Sequence, residues 1–304
     1  MYYYTFIIVA SFIMVLPLRG EVEVNPNYVG EIGVSTTSQM TIFQGTIADL
    51  GIDLLQVGTN LQIDFSRGFT TSDIAALRRN IFSEILSPSG TPYEYVYPDA
   101  DKVVYSRVEM ESEQWMYYSS ESSIENLLGI CTVGTCENGM PDLIKAQDGD
   151  VSLWRNPLVL GSEWNFSFEK NKITFFPDMD IFFESNYTSI IDAEGVITTP
   201  AGSFRAIRLS KSGSEIFRYD NEELDNTMGE GRSEIIEQFW FSTEGYTVIQ
   251  LREEIASFAN LPGPPMSQTV VIVLTSITNT ETAIEQSTWG NLKKDIHLEK
   301  IHRD

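Results

Sequence analysis

The sequence predicts a mainly β fold of the α+β kind, a curved antiparallel sheet with one or two covering helices, and three features carry that expectation. After Trp154 the chain runs through "NKITFFPD", "DIFFESNYTSIID", "SFRAIRLSKSGSEIFRY", "SEIIEQFWFS", "GYTVIQLREE" and "SQTVVIVLTSIT", each rich in β-branched and aromatic residues and bounded by Gly, Pro, Asp or Asn. No helical pattern separates these runs, so neighbours in sequence pair as hairpins and lie antiparallel. In "TVIQLREE" the side chains alternate: Thr247, Ile249 and Leu251 share one face, while Val248, Gln250 and Arg252 share the other. That alternation predicts one packed face and one wet face.

The elements follow in chain order. The first segment, "MYYYTFIIVASFIMVLPLRGEVEV", holds an apolar stretch from Phe6 to Leu18. It is too short to span a bilayer as a helix and has the length of the middle of a secretory signal, so residues 1–20 are expected to be a signal peptide, cleaved near Gly20. An uncleaved anchor is the alternative. Residues 21–150 read as a mixed α/β N-terminal region. There "STTSQMTIF" and "NLQIDFS" look like short strands. "TSDIAALRRNIFSEIL" looks like a helix covering one face of the sheet, with Ile74, Leu77, Ile81 and Ile85 on one stripe and Ser72 as its cap.

Residues 151–278 form the antiparallel β region. Within it "VITTPAGSFRAIRLS" is a strand, a corner and a second strand. Pro200 fixes its own φ and Gly202 permits a positive one, so the corner is a turn, and a bulge is expected near Ala206. A phosphate-cradling loop would lead into a helix, and here a strand follows. "TVVIVLT" lacks alternation, which predicts a strand covered on both faces. Residues 279–304 are a C-terminal tail in which Trp289, Leu292, Ile296, Leu298 and Ile301 fit a short amphipathic helix.

Charge and ligand chemistry narrow the function. The formal net charge is -23, which argues against nucleic acid and anionic membrane surfaces as partners, since both need a basic face. The two cysteines, Cys131 and Cys136 in "GICTVGTCENG", are expected to close a small disulfide loop in an exported chain. A zinc site would need two further ligands, and His297 and His302 lie far off in the tail. Acidic residues in Asp220 to Gly231 offer oxygens to calcium, but their order does not match the twelve-residue loop, so a solvated hairpin tip is expected. The pair Asp178 and Asp180 is read the same way. The sequons at Asn165 and Asn186 are read as ordinary strand residues. No cofactor, metal or catalytic residue is assigned.

Several phrases taken together resemble secreted proteins of Bacteroidota-like bacteria that have no assigned activity. They are "GTNLQIDFS" (Gly58 to Ser66), "YPDAD" (Tyr97 to Asp101), "LVLGSEW" and "VITTPAGSFRAIRL", with Ile63 where the family usually has Trp. The stretch from Trp154 to Glu254 is also similar to curved sheets of the lipoprotein-carrier type, which wrap an apolar ligand. The resemblance implies a secreted, periplasmic or cell-envelope location, with no membrane span once the signal is removed.

The expected function is therefore a secreted, non-catalytic envelope or extracellular protein whose sheet presents a binding surface. Trp164, Phe176, Phe183, Phe204, Trp240 and Tyr246 are the candidate ligand face. One alternative is a carrier of an apolar ligand in a concave sheet; the partner would be that ligand or a cell-surface component. A second alternative is a glycosidase, which needs two carboxylates at a set separation, and Glu163, Glu169, Glu184 and Glu237 are its candidates.

Overall fold

A computed structural model of the chain describes residues 32–50, 56–67, 76–109, 113–121, 124–132, 144–146, 158–176, 179–219 and 222–279. The expected signal peptide, the C-terminal tail, Asp178 and Cys136 lie outside them. The strands are β1 (Val34–Gln44), β2 (Gly58–Asp64), β3 (Ala76–Leu86), β4 (Lys102–Val108), β5 (Glu113–Glu121), β6 (Ile124–Thr132), β7 (Ile144–Ala146), β8 (Glu163–Phe176), β9 (Met179–Thr199), β10 (Gly202–Tyr219), β11 (Gly231–Ser242), β12 (Thr247–Phe258) and β13 (Met266–Asn279). They make one open curved sheet in the order β6-β5-β4-β3-β1-β13-β12-β11-β10-β9-β8-β7, with β2 beside β9. From β8 to β13 the hairpins follow the chain, as the sequence predicts. All pairings are antiparallel except that of β2 with β9, which is parallel.

The corner in "TPAGS" is the β9–β10 turn: Gly202, at φ 140°, opposes Thr199. The register shift in this hairpin falls at Arg208/Leu209, which oppose Ala193 and Ile191 and leave Asp192 as the extra residue. The irregularity is therefore on β9, not at Ala206. Phe204, Ile207 and Leu209 are all buried, the first on one face and the other two on the opposite one. Their uneven spacing comes from a strand packed on both sides. β13 is covered on both sides as expected, with Thr269 to Leu274 all buried.

One expectation is corrected. Ala76–Leu86 is strand β3 where a helix was read over 71–86, residues 71–75 lying outside the described residues. Leu77, Ile81 and Ile85 are spaced by four, and an even spacing places residues on one face of a strand as well as on one stripe of a helix. Pairing with β1 and β4, which sequence periodicity does not contain, decides between them. At the tip of the β10–β11 hairpin, Glu222–Met228 forms a short helix, α1, whose Glu222, Glu223 and Asp225 are exposed, so the tip is solvated as expected. Three acidic residues in its first turn, Glu222, Glu223 and Asp225, suit the positive end of the helix dipole.

The curvature shows in which residues touch. Ile85 of β3, Val104 of β4, and Met116 and Tyr118 of β5 share a buried cluster with Trp164, Tyr187, Ile191, Leu209 and Phe239 of β8 to β11. Those strands are separated in the sheet by β1, β13 and β12, so the sheet must curl this face inward. Met40, Ile42, Ile81, Val270 and Ile272 line the same inner face at the bend. The outer face is covered locally. A layer formed by Ile47, Phe65, Leu61 and Ile63 packs on Ala193, Phe204, Trp240, Ile249 and Val271. Further along, Tyr93 and Tyr97 pack on Val103, Tyr117 and Cys131.

Candidate functional site

The inner face is apolar at one end of β9 to β12 and charged at the other. Antiparallel register places Ser189, Lys211, Glu237 and Arg252 side by side on four adjacent strands. The next inward row is Tyr187, Gly213, Ile235 and Glu254, and the one after it holds Ser185, Glu215, Ser233 and Ala256. Each of these positions alternates along its strand with a residue of the outer face. Lys211, Glu215, Glu237, Arg252 and Glu254 are all buried, Glu237 completely.

These groups form one ionic network. Lys211 Nζ donates to Glu237 Oε2 at 2.5 Å, and Arg252 Nη1 donates to Glu237 Oε1 at 2.6 Å. Arg252 Nη2 lies 3.4 Å from Glu254 and 3.6 Å from Glu215. Ser233 donates to Glu254 at 2.7 Å, and the Tyr187 hydroxyl donates to Glu215. Lys211 Nζ also sits 4.0 Å from the centre of the Tyr187 ring, so the cation meets an aromatic face. Gly213 makes room for that ring: a side chain there would collide with Asn186 and Tyr187.

Protonation follows from the same geometry. Burial by itself raises the Glu237 carboxyl, and the charges and hydrogen bonds of Lys211 and Arg252 outweigh it, holding the group at about 2. Burial lowers Lys211, with Glu237 opposing that shift. For Arg252 burial also favours the neutral form, but Glu237, Glu254 and Glu215 hold it well above its usual value. Burial and then Glu215 push the Tyr187 phenol up. At neutral pH Glu237 is an ionised carboxylate clamped by two cations and cannot donate a proton, so the network ties four strands together instead of delivering acid catalysis.

This arrangement corrects the reading of β12. Val248, Gln250 and Arg252 were expected on one wet face, yet all three are buried: the register shift beside Val248 packs it with Ile249 and Leu251, and Gln250 and Arg252 are enclosed on the opposite side. Arg252 is met there by Glu215 of β10 and Glu237 of β11 rather than by water.

At the edge of the network a cavity of about 250 Å³ is lined by Gln44, Gly45, Glu254, Ala256, Met266, Ser267 and Gln268. Gln44, Gln268 and Glu254 are in register on β1, β13 and β12, so their side chains form a row on the inner face. Along it Gln44 is exposed, Gln268 half-buried and Glu254 buried. The cavity therefore lies at the rim of the sheet, beside a residue of the ionic network.

The candidate ligand face does not form one surface. Trp164 points to the inner face and packs with Ile191 and Phe239. Phe204, Trp240 and Tyr246 belong to the outer cluster, on the opposite side of the sheet. Trp240 lies beneath Arg208, which Asp192 holds at 2.7 Å. The side chains of Phe176 and Phe183 lie outside the described residues. Of the glycosidase candidates, Glu169 and Glu184 oppose each other in backbone register on β8 and β9. Glu163 is exposed, Glu184 pairs with Arg218 at 2.9 Å on the surface, and Glu237 is locked in the network. Cys131 is buried beside Tyr97.

Lys211, Glu215, Arg252, Glu254 and Tyr187 are the residues that sequence reasoning missed. The available signal was a polar residue at every second position of β10 and β12. It becomes a network only once the register of β9 to β12 is known.

The fold and site define a class: an open, curled β-sheet protein whose inner face, among the described residues, is packed with its own side chains and carries a cavity at one rim. No family model and no curated protein matches the chain. It is similar to a solved protein described as a lipoprotein, from Parabacteroides distasonis, at 11% identity and a TM-score of 0.33, covering 82% of this chain and 96% of that one. It is also similar to one from Bacteroides fragilis described as an exported protein with a YmcC-like fold, at 10% identity and a TM-score of 0.25, covering 84% and 98%. Likeness at this level defines neither a family nor an activity.

Proposed function

We propose that this chain is an exported, non-catalytic envelope or extracellular protein that binds a small polar ligand at the rim of its curled sheet. The observation that carries the reading is the occupancy of the concave face. Among the described residues, side chains from β3 to β5 meet those from β8 to β11 across it, and a cavity of about 250 Å³ lined in part by Glu254 lies at its rim. This filling speaks against the alternative of a sheet wrapped around a large apolar ligand. Export is supported by the apolar Phe6 to Leu18 stretch and by the strongly acidic composition.

The test is a panel of neutral sugars, small amines and long-chain fatty acids, followed by melting temperature and by product analysis. A raised melting temperature with a polar member that is recovered unchanged is the expected result. Conversion of any member would overturn the non-catalytic assignment, stabilisation by fatty acids alone would restore the carrier, and no shift with any member would remove the binding role.

A further inference from the structure

We propose that the inner face holds an internal water site where its apolar and charged halves meet, and that one ordered water there accepts a hydrogen bond from Arg252 Nε and donates one to Gln250 Oε1.

Gln250 and Arg252 occupy successive inward positions of β12, so they stand on the same face of that strand. Gln250 opposes Phe239 on β11 and Ile272 on β13, whereas Arg252 opposes Glu237 and Val270. The boundary between the greasy end and the ionic end of the curl therefore runs between them. Both residues are buried, and each keeps one polar atom without a hydrogen-bond partner among the described residues: Oε1 of Gln250 and Nε of Arg252. Strand register explains why. Phe239, Ile272 and Val270 have no polar side-chain group to offer, and the two oxygens of Glu237 already accept from Lys211 Nζ and Arg252 Nη1.

A buried acceptor or N–H left in this state carries the full penalty of leaving solvent, and folded proteins meet such groups with a protein partner or an ordered water. Here one atom can only donate and the other can only accept, which is the pair that a single water joins. A cation finds no acceptor in the guanidinium, and an anion would face the carboxamide oxygen and the carboxylate of Glu237. Gln250 is 3% and Arg252 5% exposed, so a sphere the size of a water still touches both residues. The curl keeps bulk water from Arg252, whose Nη1 meets Glu237 and whose Nη2 lies near Glu254 and Glu215. Its Nε is the donor that the carboxylates do not reach, and the internal water completes its hydrogen bonding.

Nuclear magnetic resonance of the full, 15N-labelled chain tests the site by transfer of magnetisation from water. A contact between water and the Nε–H of Arg252 is expected, with NOE and ROE of opposite sign, which separates a bound molecule from proton exchange. Gln250→Met keeps a similar volume and removes the acceptor. It is expected to weaken that contact and to lower the melting temperature by about 2–4 °C, because the water loses one of its two anchors. A dry junction predicts the opposite sign, since taking an unpartnered oxygen out of an apolar neighbourhood raises the melting temperature. Absence of a water contact at Arg252 Nε–H in the native chain, or a melting temperature that is unchanged or raised in Gln250→Met, overturns the proposal.

Discussion

Lys211 and Glu237 oppose each other on adjacent strands, with Nζ and Oε2 2.5 Å apart and both side chains shut away from water. A pair in this setting is costly to break, because the remaining partner is left charged in a medium that solvates it poorly.

Replacing Lys211 by Met should lower stability by roughly 3 kcal/mol in denaturant unfolding, since Glu237 keeps Arg252 but loses one of its two cations. The double replacement Lys211→Met with Glu237→Leu should recover most of that loss. A double variant no more stable than the single one would show that the pair is not the energetic unit.

The network also fixes a pH window. Glu237 titrates at about 2 in the fold against 4.5 as its ordinary value, so its contribution is fully present above pH 4.5 and is lost as pH falls towards 2. The loss should reach about 3 kcal/mol, measured as the shift in urea midpoint between pH 6 and pH 2.5. The Lys211→Met, Glu237→Leu variant should show a clearly shallower acid dependence. An identical dependence would place the effect in other carboxylates.

Gly195 is where β2 meets β9: a side chain there would collide with the backbone of Leu61. Gly195→Ala should therefore cost about 1–3 kcal/mol and speed amide exchange in Leu61 to Asp64, leaving β10 and β11 protected. Unchanged exchange in that segment would mean that β2 does not depend on this approach.

In the exported protein Cys131 is predicted to pair with Cys136. Mass spectrometry of the unreduced chain should give a value lower by two hydrogen masses than the reduced chain. A free-thiol mass in material purified from an oxidising compartment would dismiss the pairing.

The strand-rich half could be read directly because its signals are local. Pro200 and Gly202 mark a corner whatever surrounds them, and the unbroken apolar run of β13 requires cover on both faces. Reading β3 failed for a matching reason: spacings of four satisfy both a helix stripe and a strand face, and only pairing with β1 and β4 resolves the tie.

By itself, then, the sequence determined the mainly β class, the run of hairpins from β8 onward and the acidic character of the chain. Tertiary structure alone decided that Arg252 and Glu254 face partners instead of water, and that Gln44, Gln268 and Glu254 line one cavity. Those outcomes depend on strand register and on curvature, which bring together residues more than 200 positions apart, such as Ile47 and Glu253. Polar alternation in a strand records that one face differs from the other, and which groups meet that face is settled only when the sheet closes over it.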